Sequence, residues 1–352
     1  MSSTLNFPQV LLTDFFADRD IGSIDCVTVV TPNRRLAAVL KCEFDRARSA
    51  ESISAWDSAD ILPISTFIER IYEDALYSAQ ASHLPALLRP AQEQVLWEDA
   101  IARSDTGTVL LAVAEAARLA REAWQLAHAW HLIPRLGNFP LNEDGKAFRD
   151  WWRYYEETTR RLRHTDRARL WGLVGELCQR PEINKPKRLI CYGFDIITPQ
   201  QAALLVKLEE AGCEVTLAQP QPQQLPQDPN SRRVQYDDAG EEIYHAALWA
   251  RARIEANGSA RIGVVVPAFS EHRSAILRTF SSVMEPDVRR SLPHAAKRVL
   301  PFNASLGKAL VSYPLINAAF LILELGEGEI GFERASLLLR SPFLSGGETE
   351  MA

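Results

Sequence analysis

Short apolar runs followed by amphipathic stretches fill the chain up to about residue 80. Segments 26–31 (CVTVVT) and 61–65 (ILPIS) are continuously apolar and rich in β-branched residues, as strands covered on both faces are. Apolar residues at helical spacing follow each segment, and Asn33 and Ser65 are suited to cap the two helices. The pattern predicts two successive strand–helix units.

The chain changes character between about residues 85 and 180. Apolar residues recur there at helical spacing, and Ala, Leu, Arg and Glu are frequent. Six of the eight tryptophans fall in this region: Trp97, Trp124, Trp130, Trp151, Trp152 and Trp171. We expect a separate helical bundle with its own aromatic core.

Strand-like runs return after the helical region. The predicted strands are 188–194, 214–219, 232–236 and 261–267. Helices separate them, and one is expected to be capped by Thr198 and to end near Gly212. Segment 219–233, rich in Pro and Gln, is predicted to be a hinge between two sheet domains. This order predicts an α/β fold in which a helical domain interrupts a parallel sheet with right-handed crossovers.

Composition narrows the class of protein. The length of 352 residues indicates two or three domains, and the net charge of −6 excludes a uniformly basic nucleic-acid coat while leaving room for a local basic strip. The five cysteines are scattered, and Cys26 and Cys191 are expected to behave as small apolar core residues. We expect a reduced, cytoplasmic protein with neither an export signal nor a membrane span, and the polar stretch that ends the chain is expected of a fragment or a frayed terminus.

The junction between the first strand and its helix lacks the loop of nucleotide hydrolases. It reads Thr31-Pro32-Asn33-Arg34-Arg35, without glycine. A loop of the form GxxxxGK[ST] surrounds phosphates with backbone N–H groups and reaches them with a lysine. The Gly-Lys pairs at 145–146 and 307–308 are both followed by Ala and have no glycine at the required upstream position. Nucleotide hydrolysis by this route is not expected.

Other catalytic and metal patterns are also missing from the sequence. Gly193-Phe194 stands where a magnesium-binding Asp-Glu pair would follow a later strand, and Asp195 is better suited to a turn or cap. His128 and His131 are three residues apart in an apolar stretch, which favours packing over metal binding. We predict no catalytic residue, no cofactor and no metal for this chain.

Two basic features remain as candidates. Arg34 and Arg35 begin a helix at the carboxyl end of a strand, where open sheets bind ligands. They could contact phosphate or could simply be solvated.

The second feature is segment 145–171, in which arginines and aromatic residues alternate. The basic side chains are expected to share one helical face: Arg149, Arg153, Arg160, His164 and Arg167. The apolar side chains are expected to share another: Trp152, Tyr155 and Leu162. Such a helix could bind a single nucleic-acid strand by stacking and phosphate contact. An amphipathic helix with an aromatic core face and a solvated basic face is the simpler interpretation.

Four blocks of the chain, in order, resemble the AddB-type subunits of bacterial helicase–nuclease recombination complexes. They are VTVVTPNRRLAAVLKCEFDRA with ILPISTFIERIYEDA, then RLICYGFDIITPQQAALLVKLEEAG, then AGEEIYHAALWARARIEANGSARIGVVVPAFSEHRSAILRTF, and finally LPFNASLGKALVSYPLINAAFLILEL. The likeness covers nearly the whole chain and is strongest to a DNA-repair group related to AddB, whose nuclease domain is C-terminal.

The resemblance implies a superfamily-one helicase-like fold with RecA-like (P-loop-NTPase-like) sheet domains and an inserted all-helical domain. The implied division is a first RecA-like domain in two parts (1–82 and 187–225), the helical insertion (83–186) and the start of a second, incomplete RecA-like domain (226–352). The turn at 31–35 would then lie near the DNA track, with the nucleotide-binding chemistry lost.

The function expected from these observations is a non-catalytic helicase-like module for DNA repair or recombination. It would bind a single strand or duplex end and position it for a nuclease domain or a helicase partner subunit. The candidate DNA-binding residues are Asn33, Arg34, Arg35, Thr66, Arg149, Arg153, Arg160 and Arg167. The alternative is a protein–protein interaction scaffold that binds neither DNA nor nucleotide, and an NTPase with an unrecognised site comes last.

Overall fold

The computed structural model describes residues 9–11, 27–50, 55–78, 81–107, 110, 112–137, 140–219, 232–285, 300–305, 307 and 309–344. The chain forms two compact units, Met1–Pro226 and Gln227–Ala352. Within the described residues, no helix combines the length and the apolar character needed to cross a membrane.

A parallel sheet forms the centre of the first unit. The strands in chain order are β1 (Gln9–Leu11), β2 (Val27–Thr31), β3 (Ile61–Pro63), β4 (Ala86–Leu87), β5 (His164–Thr165), β6 (Arg188–Tyr192) and β7 (Glu214–Gln219). Five of them make one parallel sheet in the order β1-β7-β6-β2-β3, and β4 pairs with β5. The predicted α/β class with a parallel sheet is confirmed.

Helices connect the strands and make up most of the described part of the second unit. In chain order they are α1 (Arg34–Ala50), α2 (Ile64–Leu76), α3 (Pro90–Ala102), α4 (Val113–Ala129), α5 (Ile133–Leu136), α6 (Glu143–Arg161), α7 (Arg167–Cys178), α8 (Pro199–Glu210), α9 (Ala239–Ala256), α10 (Phe269–Met284), α11 (Pro314–Glu327) and α12 (Phe332–Leu339). In the second unit, α9 and α10 pack around Ala247, Phe280 and Val283.

Helices cover both faces of the sheet, which explains why its strands are continuously apolar. Val27 and Val29 of β2 pack with Phe44 of α1 on one face. Val30 points to the other face, which α2, α7 and α8 cover. Cys191 lies in this second cluster, where burial raises the pKa of its thiol to about 12, as suits an apolar core residue.

Aromatic residues form a separate core between α3, α4 and α6. Its largest buried side chains are Trp97, Trp124, Trp152 and Tyr155. The rings of Trp97 and Tyr155 stack with their centroids 4.3 Å apart. Trp151 packs against this core, whereas Trp171 belongs to the sheet core and Trp130 is exposed.

Two of the predicted strands are wrong. Segments 232–236 and 261–267 have no regular secondary structure, and Val265 in the second is 91% exposed. Both have strand-like composition, but a strand also needs a neighbour for its backbone N–H and C=O groups. No strand among the described residues of the second unit supplies one. In the first unit, sequence patterns missed the short strands β1, β4 and β5.

The helix boundaries are confirmed in part. Thr198 caps α8 through a hydrogen bond donated by the N–H of Gln201, and Gly212 follows the helix with a φ of +88°. Ser65 is not a cap, because α2 begins at Ile64 directly after Pro63. Pro63 itself occupies the N-cap position with extended backbone, so Ser65 lies within the first turn of the helix. Most of the predicted hinge at 219–233 lies outside the described residues.

Candidate functional site

The strand order places one crevice of the sheet between β2 and β6. From β2 the chain passes through α1 to β3 on one side, and from β6 it passes through α8 to β7 on the other. Ligands of open parallel sheets bind at such a reversal, outside the carboxyl ends of the strands. The turn at 31–35 therefore lies at the edge of the sheet that is best suited to bind a ligand.

The connection from β2 to α1 is short and satisfied by its own side chains. Only Pro32 and Asn33 separate the strand from the helix. The Leu36 N–H donates to Asn33 Oδ1 at 3.0 Å, which confirms the predicted cap, and Thr31 Oγ1 donates to the Asn33 carbonyl at 2.9 Å. The Asn33 side chain therefore accepts a backbone N–H that would donate to a phosphate at the start of a nucleotide-binding helix.

Gly193 closes the crevice from the β6 side. It has a φ of +72°, and its N–H donates to the Ala218 carbonyl of β7 at 3.1 Å. A Cβ atom at this position would lie 2.7 Å from Leu36 Cδ2 on α1. The positive φ favours glycine here, and a Cβ would in addition displace the end of the Leu36 side chain at the first turn of α1.

We expect Gly193→Ala to lower the free energy of unfolding by about 2 kcal/mol, as measured by urea denaturation. Gly212→Ala is the matched control, because Gly212 also has a positive φ but a Cβ there would meet no described atom within 4 Å. The free energy of unfolding of Gly212→Ala should fall by about 1 kcal/mol, which is the cost of the backbone conformation alone. Equal losses in the two variants would contradict the close contact with Leu36.

The structure brings five of the eight candidate DNA-binding residues to this edge or next to it. Asn33, Arg34 and Arg35 are exposed at the start of α1, and Thr66 lies in the first turn of α2 beside the end of β3. Arg167 pairs with Glu69, one turn along α2 from Thr66, at 3.0 Å.

The other three candidates lie on α6. The predicted common face is limited to Arg149, Arg153 and Arg160, which have helical spacing on α6, because α6 ends at Arg161 and Arg163 turns the chain with a φ of +55°. His164 is in β5 and Arg167 in α7. The aromatic face is confirmed for Trp152 and Tyr155, which are buried, but Leu162 is 46% exposed.

The three candidate arginines of α6 differ in their contacts with carboxylates and in their exposure. Arg160 forms an ion pair with Glu157, and Arg149 Nε lies 3.7 Å from the carboxylate of its neighbour Asp150. Arg153 is exposed. The basic strip is therefore partly neutralised by its own helix.

A buried polar network below α6 was not predicted. Asp166, 1% exposed, accepts hydrogen bonds from Trp124 Nε1 at 3.2 Å, Tyr155 Oη at 3.1 Å and Arg169 Nε at 2.8 Å. Glu93 is also buried, and burial together with the charge of Asp166 raises its pKa to about 7. Charged residues are usually at the surface, so their sequence context gave no sign of this burial.

No protein-family model and no curated protein matches this chain.

Proposed function

We propose that this chain is a non-catalytic, helicase-like module of a cytoplasmic DNA repair or recombination protein. In this proposal the five-stranded sheet is a RecA-like core and residues 83–186 form its helical insertion. The module binds a single strand or a duplex end and positions it for a nuclease domain or a helicase partner subunit outside this chain.

One observation carries the proposal. Arg34 and Arg35 are adjacent and exposed on the first turn of α1, at the reversal of strand order. The dipole of α1 adds partial positive charge at this end. The combination favours the phosphate backbone of a nucleic acid, while the Asn33 cap and the short connection disfavour an enclosed nucleotide.

We expect salt-sensitive binding of a labelled duplex with a single-stranded tail, measured by fluorescence anisotropy between roughly 50 and 200 mM salt. The double substitution Arg34→Glu and Arg35→Glu should weaken binding at least about tenfold at low salt and reduce the salt dependence by about two released counterions.

The matched control reverses two other charges on the same helix. Lys41 and Arg46 are exposed on later turns of α1, so Lys41→Glu with Arg46→Glu changes the net charge of the chain by the same amount. Equal losses in both double variants would show that only the overall charge matters. No binding at low salt would contradict the proposal.

A protein–protein interaction scaffold is the second candidate function. It is favoured by apolar side chains of the second unit that face solvent, including Leu323 of α11 at 64% and Phe332 of α12 at 87% exposure. Exposed apolar patches of this kind mark binding surfaces. Self-association in light scattering without DNA binding would favour this function.

A further inference from the structure

A cavity of about 290 Å³ lies where the end of α4 meets α7 and α8. Leu204 and Ala203 of α8 provide apolar wall, while His128, Arg169 and Lys207 provide polar wall. No aspartate or glutamate lines it. The cavity lies on the face of the sheet covered by α7 and α8, whereas α1 with Arg34 and Arg35 covers the other face.

Two glycines on α7 shape this cavity. The aliphatic chain of Lys207 lies against Gly175, where a Cβ atom would come within 2.9 Å of Lys207 Cδ. At Gly172, one turn earlier, a Cβ atom would meet no described atom within 4 Å. Glycine inside a helix is unfavourable relative to alanine. Packing within the described chain explains Gly175 but not Gly172, whereas a ligand in the cavity would explain both.

The two cationic side chains on the cavity wall, Arg169 and Lys207, do not use all of their N–H groups in hydrogen bonds with the described residues. Arg169 donates from Nε to Asp166 and from Nη2 to Thr159 Oγ1, each at 2.8 Å, and its Nη1 has no partner among the described residues. Lys207 forms one ion pair, with Glu176. Asp166 and Glu176 balance these two charges from outside the cavity wall, so the wall presents the N–H donors of two cations and no carboxylate.

Aromatic and polar side chains complete the wall, among them His131 and Gln200. Trp171 lines the cavity, and so does His128, whose Nε2 is buried without a hydrogen-bond partner in the part of the chain that the structure describes. Burial lowers the pKa of His128 to about 4, so its ring is neutral at physiological pH. The His128 ring packs edge-to-face on Trp124 with the centroids 4.2 Å apart, and on the cavity side it offers a neutral surface against which a planar group can lie.

We infer that this cavity binds one nucleoside monophosphate, with the base against Trp171 and His128 and the phosphate at Arg169 and Lys207. The volume is close to the lower end of small-molecule sites. Guanidinium and ammonium groups together favour phosphate, and aromatic rings accept any base. This inference does not depend on the proposed DNA binding at α1.

The first test is calorimetric titration of the full chain with AMP, adenosine and inorganic phosphate as probes. We expect AMP to bind with a dissociation constant between about 10 µM and 1 mM, and adenosine and phosphate to bind at least roughly tenfold more weakly. Absence of heat with AMP at millimolar concentration, or phosphate binding as tightly as AMP, would overturn the inference.

Substitutions locate the binding site. Gly172→Leu fills open space with a good helix former, so it should retain thermal stability and weaken AMP binding at least about tenfold. Gly326→Leu is the matched control, since a Cβ at Gly326 of α11 also meets no described atom within 4 Å. Lys207→Gln removes one cation at a partly exposed pair and should weaken AMP binding roughly tenfold without unfolding. Unchanged AMP affinity in Gly172→Leu and Lys207→Gln would refute the site.

A competition experiment distinguishes a free nucleotide from a nucleotide that is part of a strand. A short oligothymidylate that displaces AMP shows that the cavity accepts a nucleotide of a strand, whereas AMP binding without such competition shows that it accepts a free nucleotide. Both results uphold the cavity as a nucleotide site. The Arg34→Glu and Arg35→Glu variant should bind AMP as the unmodified protein does, which separates this site from the edge of the sheet.

Discussion

Replacing Asp166 by alanine should lower the free energy of unfolding by about 3–5 kcal/mol. The side chain is buried at the start of α7 and accepts hydrogen bonds from Trp124, Tyr155 and Arg169, so its removal leaves three donors unpaired. One of them, the Arg169 guanidinium, is charged and its side chain is only 20% exposed. Unpaired buried donors cost far more than an average hydrogen bond contributes.

Asp166 also caps α7, because its Oδ1 accepts the Arg169 N–H at 2.9 Å. The loss of this cap contributes to the fall in the free energy of unfolding and must be measured separately. Asn142→Ala is the matched control. Asn142 caps α6 through Gly145 N–H at 2.9 Å but is exposed, so its loss should be about 1 kcal/mol. Urea denaturation followed by tryptophan fluorescence measures both variants. A loss for Asp166→Ala no greater than that of Asn142→Ala would show that the buried hydrogen bonds contribute nothing.

Local patterns predicted the parts of the fold that neighbouring residues determine. The valines of β2 form a continuous apolar run because helices cover both faces of the sheet. Thr198 and Gln201 cap each other at the start of α8, a pairing that needs residues three positions apart. Both features appear in the order of residues that are close together in the chain, so the sequence was sufficient to predict them.

The errors concern contacts between distant residues. Segment 261–267 contains three valines, as β2 does, but a strand there would need a partner that no nearby residue can specify. The basic face ends with α6 at Arg161, and the chain then enters β5, whose residues 164–165 pair with residues 86–87 of β4. The exposure of Arg34 and Arg35 was within reach of the sequence, since polar residues follow an apolar strand. The burial of Glu93 and Asp166 was not, because it follows from how α3, α6 and α7 pack.

The titration of Glu93 should make stability depend on pH in an unusual direction. Burial, and next the charge of Asp166, raise its pKa from 4.5 to about 7, against the smaller opposing effects of Arg167 and Arg121. Because the folded state holds the proton more tightly, this carboxyl group contributes stability that is complete below pH 4.5 and is lost as the pH rises through 7.

Glu93→Gln cannot ionise, and its amide oxygen can still accept the Arg167 N–H that Glu93 Oε1 accepts at 3.4 Å. We expect the variant to match the unmodified protein near pH 4 and to exceed its free energy of unfolding by about 3 kcal/mol near pH 8. Comparing the two proteins at each pH cancels the opposite contribution of His128, whose lowered pKa favours the folded state as the pH rises. The control is Glu156→Gln on the exposed side of α6, which should change stability by no more than about 0.5 kcal/mol. A Glu93→Gln difference that is the same at both pH values would mean that Glu93 does not lose its proton within this range, and that its burial acts on the fold through packing alone.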